Sequence, residues 1–151
     1  MLLEPELVPK TCWYSNVRSC VSPNDWDILR KECFTLINNL CEICGGKGNK
    51  WPVECHEVWE YDEANKIQKL VRLIALCPQC HQVKHPGLAN IKGKTDEVIQ
   101  QLIKVNKITK QQANDLLGNA FQEWERKSMY QWKIDLSFLD GKNIKYHSDR
   151  S

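Results

Sequence analysis

The chain has 151 residues, of which 42% are hydrophobic and 26% charged, so it is long enough for one compact domain and is not a disordered protein. No apolar run approaches the roughly 20 residues that a helix needs to cross a membrane, which excludes a protein with membrane-spanning helices. The net charge of +2 is unevenly spread, because residues 92–151 carry 11 basic and 8 acidic side chains. That excess favours a polyanionic partner.

The first predicted elements are a short strand at Thr11–Ser15 and an amphipathic helix. Ser22 is typical of a helix N-cap, and Pro23 is typical of the first helical position. Apolar residues then recur at intervals of three and four as far as Leu40. This spacing predicts a helix of four to five turns that runs into Cys41.

A β-hairpin and a short helix are predicted next. Alternating side chains predict a first strand over Trp51–Tyr61, and the apolar run Leu70–Leu76 predicts the return strand. The polar residues between them, 62–68, form the connection. A helix is predicted from Pro78 to His85, where Pro86 and the glycine after it stop it.

Helices dominate the remainder of the chain. Thr95 and Thr109 are each predicted to cap a helix, over residues 96–106 and 110–127 respectively. The alternation from Trp132 to Phe138 predicts a C-terminal strand. The last dozen residues are predicted to be a loose tail.

The chain has eight cysteines, and its first residues lack the features of a secretory signal. Together these observations predict reduced thiols and a cytoplasmic location. Two C-x-x-C pairs are separated by 32 residues, and each pair places two thiolates side by side at a tetrahedral site. Together they predict a structural zinc site formed by Cys41, Cys44, Cys77 and Cys80. Two redox-active pairs or buried free thiols are the alternative. The other four, Cys12, Cys20, Cys33 and Cys55, are unpaired by spacing, and Cys33 is predicted to be a core residue.

Three of the four histidines fall in the hairpin and the helix that follows it. His56 and Glu57 lie on the first predicted strand, while His81 directly follows the second C-x-x-C pair and His85 comes four residues later. Because residues four apart share a helix face, His81 and His85 are placed to bind one ion together. His147 lies in the tail and is predicted to be incidental.

The array C-E-I-C, V-E-C-H-E-V-W and L-C-P-Q-C-H-Q-V-K-H resembles the zinc-knuckle branch of the HNH (ββα-metal) endonucleases. Flanking segments between residues 8 and 139 extend the resemblance less specifically. It implies an α+β fold, in which a hairpin and a helix surround one catalytic ion. The Cys₄ zinc holds the ends of this ββα-metal core together, and further helices and a C-terminal strand flank the core. It also implies hydrolysis of DNA phosphodiester bonds in a bacterial or phage-infected cell.

The resemblance assigns a role to each of these side chains. His56 corresponds to the general base that activates water, and an ordinary histidine pKa of about 6.5 suits that task at neutral pH. His85 corresponds to a ligand of a catalytic Mg²⁺ or another divalent ion, and His81 to a second ligand or a phosphate contact. The expected nucleic-acid contacts are basic residues of the core and the helix beyond it: Arg72, Lys84, Lys92 and Lys94.

Two positions depart from the family pattern. Cys55 stands where the family has an Asp or His ligand, and a thiolate prefers soft ions to magnesium. Arg72 stands where the family has an Asn that orients the base or contacts the ion. The alternative is a register shifted by one residue, in which His56 is the ligand and Glu57 binds the ion or serves as the base.

Two functions of different classes follow from the sequence. The first is a metal-dependent HNH-type endonuclease acting on DNA rather than RNA. The second is a non-catalytic zinc-binding module that binds a protein or nucleic-acid partner, for example in a larger assembly. Neither involves a membrane. The predicted division is an N-terminal extension over 1–40, the HNH-like domain over 41–91, a helical extension and strand over 92–139, and a tail over 140–151.

Overall fold

The structure, a computed structural model, describes residues 2–13, 15–48 and 52–147. Three strands form one small sheet in the order β1-β2-β3, with β1 antiparallel and β3 parallel to β2. The elements in chain order are α1 (Val17–Cys20), α2 (Pro23–Thr35), β1 (Glu54–Asp62), β2 (Ile67–Leu76), α3 (Pro78–Val83), α4 (Pro86–Ile91), α5 (Thr95–Asn106), α6 (Lys110–Lys127) and β3 (Lys133–Asp135). The α+β fold class predicted from the sequence is therefore confirmed.

The β1–β2 hairpin is the centre of the fold. Its register pairs Glu54 with Leu76 at one end and Asp62 with Ile67 at the other, with a bulge after Val58. The Asp62 carboxylate accepts hydrogen bonds from Asn65 and so closes the turn between the strands. Both predicted strands are present, although β2 begins three residues earlier than expected. The predicted start of β1 at position 51 lies outside the described residues.

Helix α2 begins as the sequence predicts and ends earlier. Ser22 Oγ accepts the N–H of Asp25 at 3.1 Å, and Pro23 is the first helical residue. The helix stops at Thr35 instead of running into Cys41, although the apolar spacing continues. Asn38 and Asn39 have φ values of 54° and 61°, a left-handed backbone that asparagine tolerates and that a right-handed helix excludes.

The predicted helix over Pro78–His85 is present as α3, and a second short helix, α4, which the sequence did not predict, follows it. Helix α3 ends at Val83, and Pro86 does not merely stop it but is the first residue of α4. The fixed φ of proline matches the first turn of a helix, where its missing N–H costs nothing. His85 therefore lies at the junction of α3 and α4, whereas His81 lies within α3.

One of the two predicted threonine caps is confirmed. Thr109 Oγ1 accepts the N–H of Gln112 at 3.1 Å, and the Gln112 side chain accepts the Thr109 N–H in return. Thr95 is instead the first residue of α5, and its hydroxyl donates to Asn90 Oδ1. The cap prediction at Thr95 is wrong because the helix begins at Thr95 itself, and Lys94 occupies the N-cap position without a side-chain hydrogen bond.

Two predicted strands are corrected. The strand predicted at Thr11–Ser15 begins instead in a 3₁₀ turn over Lys10–Cys12, in which the Pro9 carbonyl accepts the Cys12 N–H, and position 14 of the prediction lies outside the described residues. The alternation from Trp132 to Phe138 yields only the three residues of β3, because Asp135 Oδ1 accepts the Ser137 N–H and turns the chain.

The predicted loose tail packs on the molecule as far as it is described. The His147 N–H donates to the carbonyl of Cys20 at 2.9 Å, and the Tyr146 hydroxyl donates to Asp140. Ile144 and Tyr146 lie against buried residues of α1, α2 and β2. Residues 148–151 lie outside the described residues, and the four-part division of the chain stays a prediction.

Buried apolar side chains form two clusters around the hairpin. The larger joins β2 to α3, α5 and α6 through residues such as Leu76, Val83 and Leu102. The smaller joins α1 and α2 to β2 and the chain after β3 through residues such as Val17 and Leu136. Within the described residues, no helix combines the length and the apolar character needed to cross a membrane.

Candidate metal centres and the adjoining groove

The two C-x-x-C pairs meet in one four-cysteine group. The sulfurs of Cys41, Cys44, Cys77 and Cys80 all lie within 4.8 Å of one another, and those of Cys44 and Cys77 are 3.6 Å apart. Four thiols at this separation are the ligand set of a structural zinc ion. The predicted Cys₄ group is confirmed, and its donor set is consistent with zinc.

Local backbone structure directs these sulfurs inward. Cys77 is the N-cap of α3, and its sulfur accepts the N–H of Cys80 at 3.4 Å. In the first pair the Cys41 sulfur accepts the N–H of Cys44, and the Cys44 sulfur accepts that of Gly46. Such N–H donors stabilise negative charge on sulfur, as bound zinc requires.

The thiols also shift one another's pKa values, and a bound cation would remove the cause of these shifts. Hydrogen bonds from Cys77 and then Cys80 hold the pKa of Cys41 far below its usual value. The bond to Cys41 raises the pKa of Cys80 far above the ordinary range and that of Cys77 to about 11. These opposite shifts show that the closely packed thiols compete for protons, and a divalent ion would replace those protons.

A second group unites the three histidines of the hairpin and α3. One ring nitrogen from each of His56, His81 and His85 lies within 4.8 Å of the others, and the Nε2 atoms of His81 and His85 are 3.0 Å apart. The ring centroids are 4.6–5.2 Å apart, with the rings edge to face. Zn–N distances of about 2.0–2.1 Å place tetrahedral nitrogens roughly 3.3 Å apart, so modest adjustment accommodates an ion.

Glu54 fixes the orientation of His81. It lies two residues before His56 on β1, and its Oε2 accepts a hydrogen bond from His81 Nδ1. With the proton on Nδ1, the Nε2 of His81 keeps its lone pair and faces the other two rings. A carboxylate behind a histidine is a recurrent device of metal sites, because it sets the tautomer and raises the basicity of the ligand.

The environment keeps two of the three rings neutral. Burial lowers the pKa of His56, and burial followed by Coulomb interactions with the rings of His81 and His56 lowers that of His85 to about 3. His56 is only 7% exposed, and its Nε2 has no hydrogen-bond partner among the residues that the structure describes. A buried nitrogen without a partner is costly unless a ligand satisfies it.

Glu6 approaches the histidines from the N-terminal segment. Its Oε2 lies 3.7 Å from His56 Nε2, and its Oε1 accepts a hydrogen bond from Lys84 at 3.0 Å. Burial raises the pKa of Glu6, but the contacts with His56 and Lys84 outweigh burial and lower it overall. Glu6 is therefore an anion held beside the cluster. The sequence carries no local signal for it, since it lies 50 residues from His56 in the chain.

Glu57 points away from the three-histidine group. Its Oε2 accepts the N–H of Val17 at 3.0 Å, and burial raises its pKa to about 7. The β-bulge that would bring His56 and Glu57 to one side of the strand occurs after Val58 instead. The structure thus brings together three of the four residues expected at the catalytic ion and separates Glu57 from them.

Cys55 lies away from both ligand groups. Its thiol packs against the larger core, where a hydrogen bond with Cys33 and then burial raise its pKa far above the ordinary range. It is therefore not among the ligand atoms of the histidine cluster, although it stands at a ligand position of the family pattern.

Two of the four predicted nucleic-acid contacts are engaged within the chain. Arg72 pairs with Glu42 at 2.5 Å, and Lys84 is buried and pairs with Glu6. Lys92 and Lys94 are exposed after α4, and neither forms an ion pair within the described ranges. Sequence reasoning missed Arg18, which is exposed and lines the cavity that contains the histidines. Its isolated position in the sequence gives no signal of that location.

That cavity is a groove of about 710 Å³ between the N-terminal segment, β1 and α4. Its lining includes the three histidines together with apolar and aromatic residues. A cavity of this volume falls in the range of ordinary ligand sites. The histidine cluster is therefore open to a substrate on one side.

No protein-family model matches the chain, and neither a curated protein nor a solved structure is significantly similar to it. What the fold and the site define is a class: an α+β chain in which a Cys₄ group and a three-histidine group adjoin a β-hairpin and a helix. The HNH resemblance rests on the sequence motif and on this arrangement alone.

Proposed function

We propose that the chain is a metal-dependent phosphodiesterase of the HNH type that hydrolyses DNA. The observation that carries the proposal is the convergence of three imidazoles on one point beside a Cys₄ group, with Glu54 behind His81 and an open groove in front. Structural zinc alone accounts for the cysteines but gives no reason for the second group of ligands.

The residues present fit a divalent ion. His81 and His85 would hold it through Nε2, with one ring nitrogen of the buried His56 facing the same point. Neutral imidazole suits zinc, nickel, copper or iron better than Mg²⁺, which prefers oxygen ligands. When bound, such an ion would supply Lewis acidity that stabilises the negative charge developing on phosphate and leaving-group oxygens.

The protein's own residues account for positioning and proton transfer. Glu54 holds His81 in one tautomer, and the groove leaves the cluster accessible to a substrate. His56 is neutral and has an unpartnered nitrogen, so it is suited to take a proton from an attacking water. If His56 is instead a third ligand, Glu6, whose Oε2 lies 3.7 Å from His56 Nε2, is a carboxylate placed to act as the base.

A non-catalytic module is the second candidate. It is favoured because Arg72 and Lys84 form ion pairs within the chain instead of facing a phosphate. The two candidates differ in one property, which is turnover of a phosphodiester in the presence of an exchangeable ion.

Cleavage of plasmid and single-stranded DNA in Zn²⁺, Ni²⁺, Mn²⁺ or Mg²⁺ tests the proposal. We expect wild type to cut and His85→Ala to lose about a hundredfold or more of that activity, since one ligand is absent. His147→Ala is the matched control, because this exposed histidine lies outside the cluster. Equal cutting by His85→Ala would reveal a contaminant. No cutting by a wild type that binds two ions per chain would establish the non-catalytic module.

A further inference from the structure

We infer that the groove beside the histidine cluster binds an unpaired nucleic-acid strand, with bases on its tryptophans and a phosphate on Arg18. This inference rests on the proposed function and deepens it by naming the form of the substrate. We call the cavity the Trp groove, after the aromatic residues in its lining: Trp13, Trp26, Trp59, Phe121 and Trp124.

Trp13 is the first observation. Its side chain is 57% exposed, yet its indole N–H donates to the carbonyl of Val8 at 3.2 Å. The indole of Trp124 donates to the same carbonyl at 3.1 Å. Two large rings are thus held in place along one wall of the groove. A fixed and exposed aromatic face is what a nucleobase stacks on.

The charge of the groove gives the second observation. Of the carboxylates in its lining, Glu6 is offset by Lys84 and Glu57 accepts the N–H of Val17. Arg18 is exposed in the same lining, and its guanidinium forms neither an ion pair nor a hydrogen bond with the residues that the structure describes. A planar guanidinium without a partner can bind a phosphate of the strand, and the aromatic rings in the same lining can stack on its bases.

The shape of the groove decides between paired and unpaired strands. In a duplex the bases are stacked inside and the phosphates lie outside. The face of a paired base therefore cannot enter a concave cavity of about 710 Å³. An unpaired strand can place a base against Trp13 and a backbone phosphate at the histidines, since both line one cavity. Base stacking makes such recognition tolerant of sequence.

Fluorescence anisotropy with a labelled strand of about 12 nucleotides tests the inference, using zinc-loaded protein at low temperature and a gel to confirm that the strand is intact. We expect the single strand to bind about tenfold or more tightly than its duplex. Trp13→Ala should weaken single-strand binding about tenfold, whereas Trp13→Phe, which keeps an aromatic face, should retain most of it. Tyr130→Ala is the matched control, because Tyr130 is 43% exposed and lies outside the groove.

Arg18→Ala should change how strongly single-strand binding depends on salt concentration. Loss of one phosphate contact should reduce the slope of log affinity against log salt by about 0.7, and Trp13→Ala should leave that slope unchanged. Arg30→Ala is the control, since Arg30 is partly exposed and pairs with Asp27 away from the groove. Equal binding of duplex and single strand, or unchanged binding by both Trp13→Ala and Arg18→Ala, overturns the inference.

The two proposals fail in different ways. A chain that binds single strands through Trp13 and Arg18 but cuts no DNA keeps the groove assignment and loses the nuclease. A chain that cuts DNA while both groove variants bind and cut like wild type keeps the nuclease and loses the groove assignment.

Discussion

Glu54 is the residue on which the geometry of the histidine cluster depends most directly. Its carboxylate accepts the Nδ1 proton of His81, and this contact leaves Nε2 directed at His85, 3.0 Å away. Without the carboxylate the ring has two tautomers and free rotation about its side-chain torsions. Metal ligands that lose such a partner bind more weakly even though every donor atom remains.

Glu54→Gln should therefore weaken metal binding at the histidine cluster by about 10–100-fold without removing a ligand. Competition with a chelator of known affinity measures the change, and the tightly bound zinc of the Cys₄ group serves as an internal reference. Glu60→Gln on the exposed side of the same strand is the control. An unchanged affinity in Glu54→Gln would show that His81 is oriented by other contacts.

The residues of the site differ in how far the sequence foretells them. The members of the Cys₄ and histidine groups are predictable, because the C-x-x-C pairs and the histidines beside them form recognisable short motifs. Strand alternation also places Glu54 on the same face as His56, so its role follows once the faces are assigned. Glu6 and Arg18 are not predictable, since they reach the site only through contacts between segments distant in the chain.

Helix α6 is the element whose termini are most clearly defined by local chemistry. The reciprocal hydrogen bonds of Thr109 and Gln112 satisfy two backbone donors at its start. From this fixed start the helix carries Trp124 to the N-terminal segment, where the indole binds the Val8 carbonyl. Its cap thereby helps to position one wall of the Trp groove.

Thr109→Ala should lower the free energy of unfolding by about 1 kcal/mol, because the N–H of Gln112 loses its acceptor. Urea denaturation followed by circular dichroism measures it. Thr95→Ala is the informative control, since Thr95 was the equally plausible cap by sequence and caps nothing in the structure. Its cost should be a few tenths of a kcal/mol, and a cost equal to that of Thr109→Ala would mean that it acts as a cap.

The hairpin and the helices α2, α3, α5 and α6 were predictable from the sequence, whereas the short helices α1 and α4 were not and element ends often were not. Apolar spacing predicts α2, but the left-handed backbone at Asn38 and Asn39 ends it before the spacing does. A proline such as Pro86 is compatible with the end of one helix and with the start of the next. The sequence alone does not distinguish the two, and in the structure Pro86 starts α4. Side-chain competition for backbone groups, as at Asp135, is likewise invisible to periodicity.

At the scale of the whole molecule, the Cys₄ group joins two segments that are distant in the sequence. Cys41 and Cys44 belong to an irregular segment after α2, and Cys77 and Cys80 belong to the start of α3. Between them lies the whole hairpin, with the histidines at one end of it. The Glu42 carboxylate adds a hydrogen bond to the Ala75 N–H on β2, which docks the first cysteine pair against the hairpin.

Removing the Cys₄ zinc should therefore unfold the chain and not merely loosen it. Zinc binding in small peptides is worth about 10–16 kcal/mol, which equals or exceeds the 5–15 kcal/mol by which a whole domain is usually stable. We expect a strong chelator, or Cys77→Ser, to abolish the cooperative thermal transition in circular dichroism. Cys55→Ala, which deletes a thiol outside both ligand groups, should keep one tightly bound zinc and a cooperative melt. A zinc-free chain that melts at an unchanged temperature would show that the two apolar clusters hold the fold alone, and the histidine cluster would then survive without its neighbour.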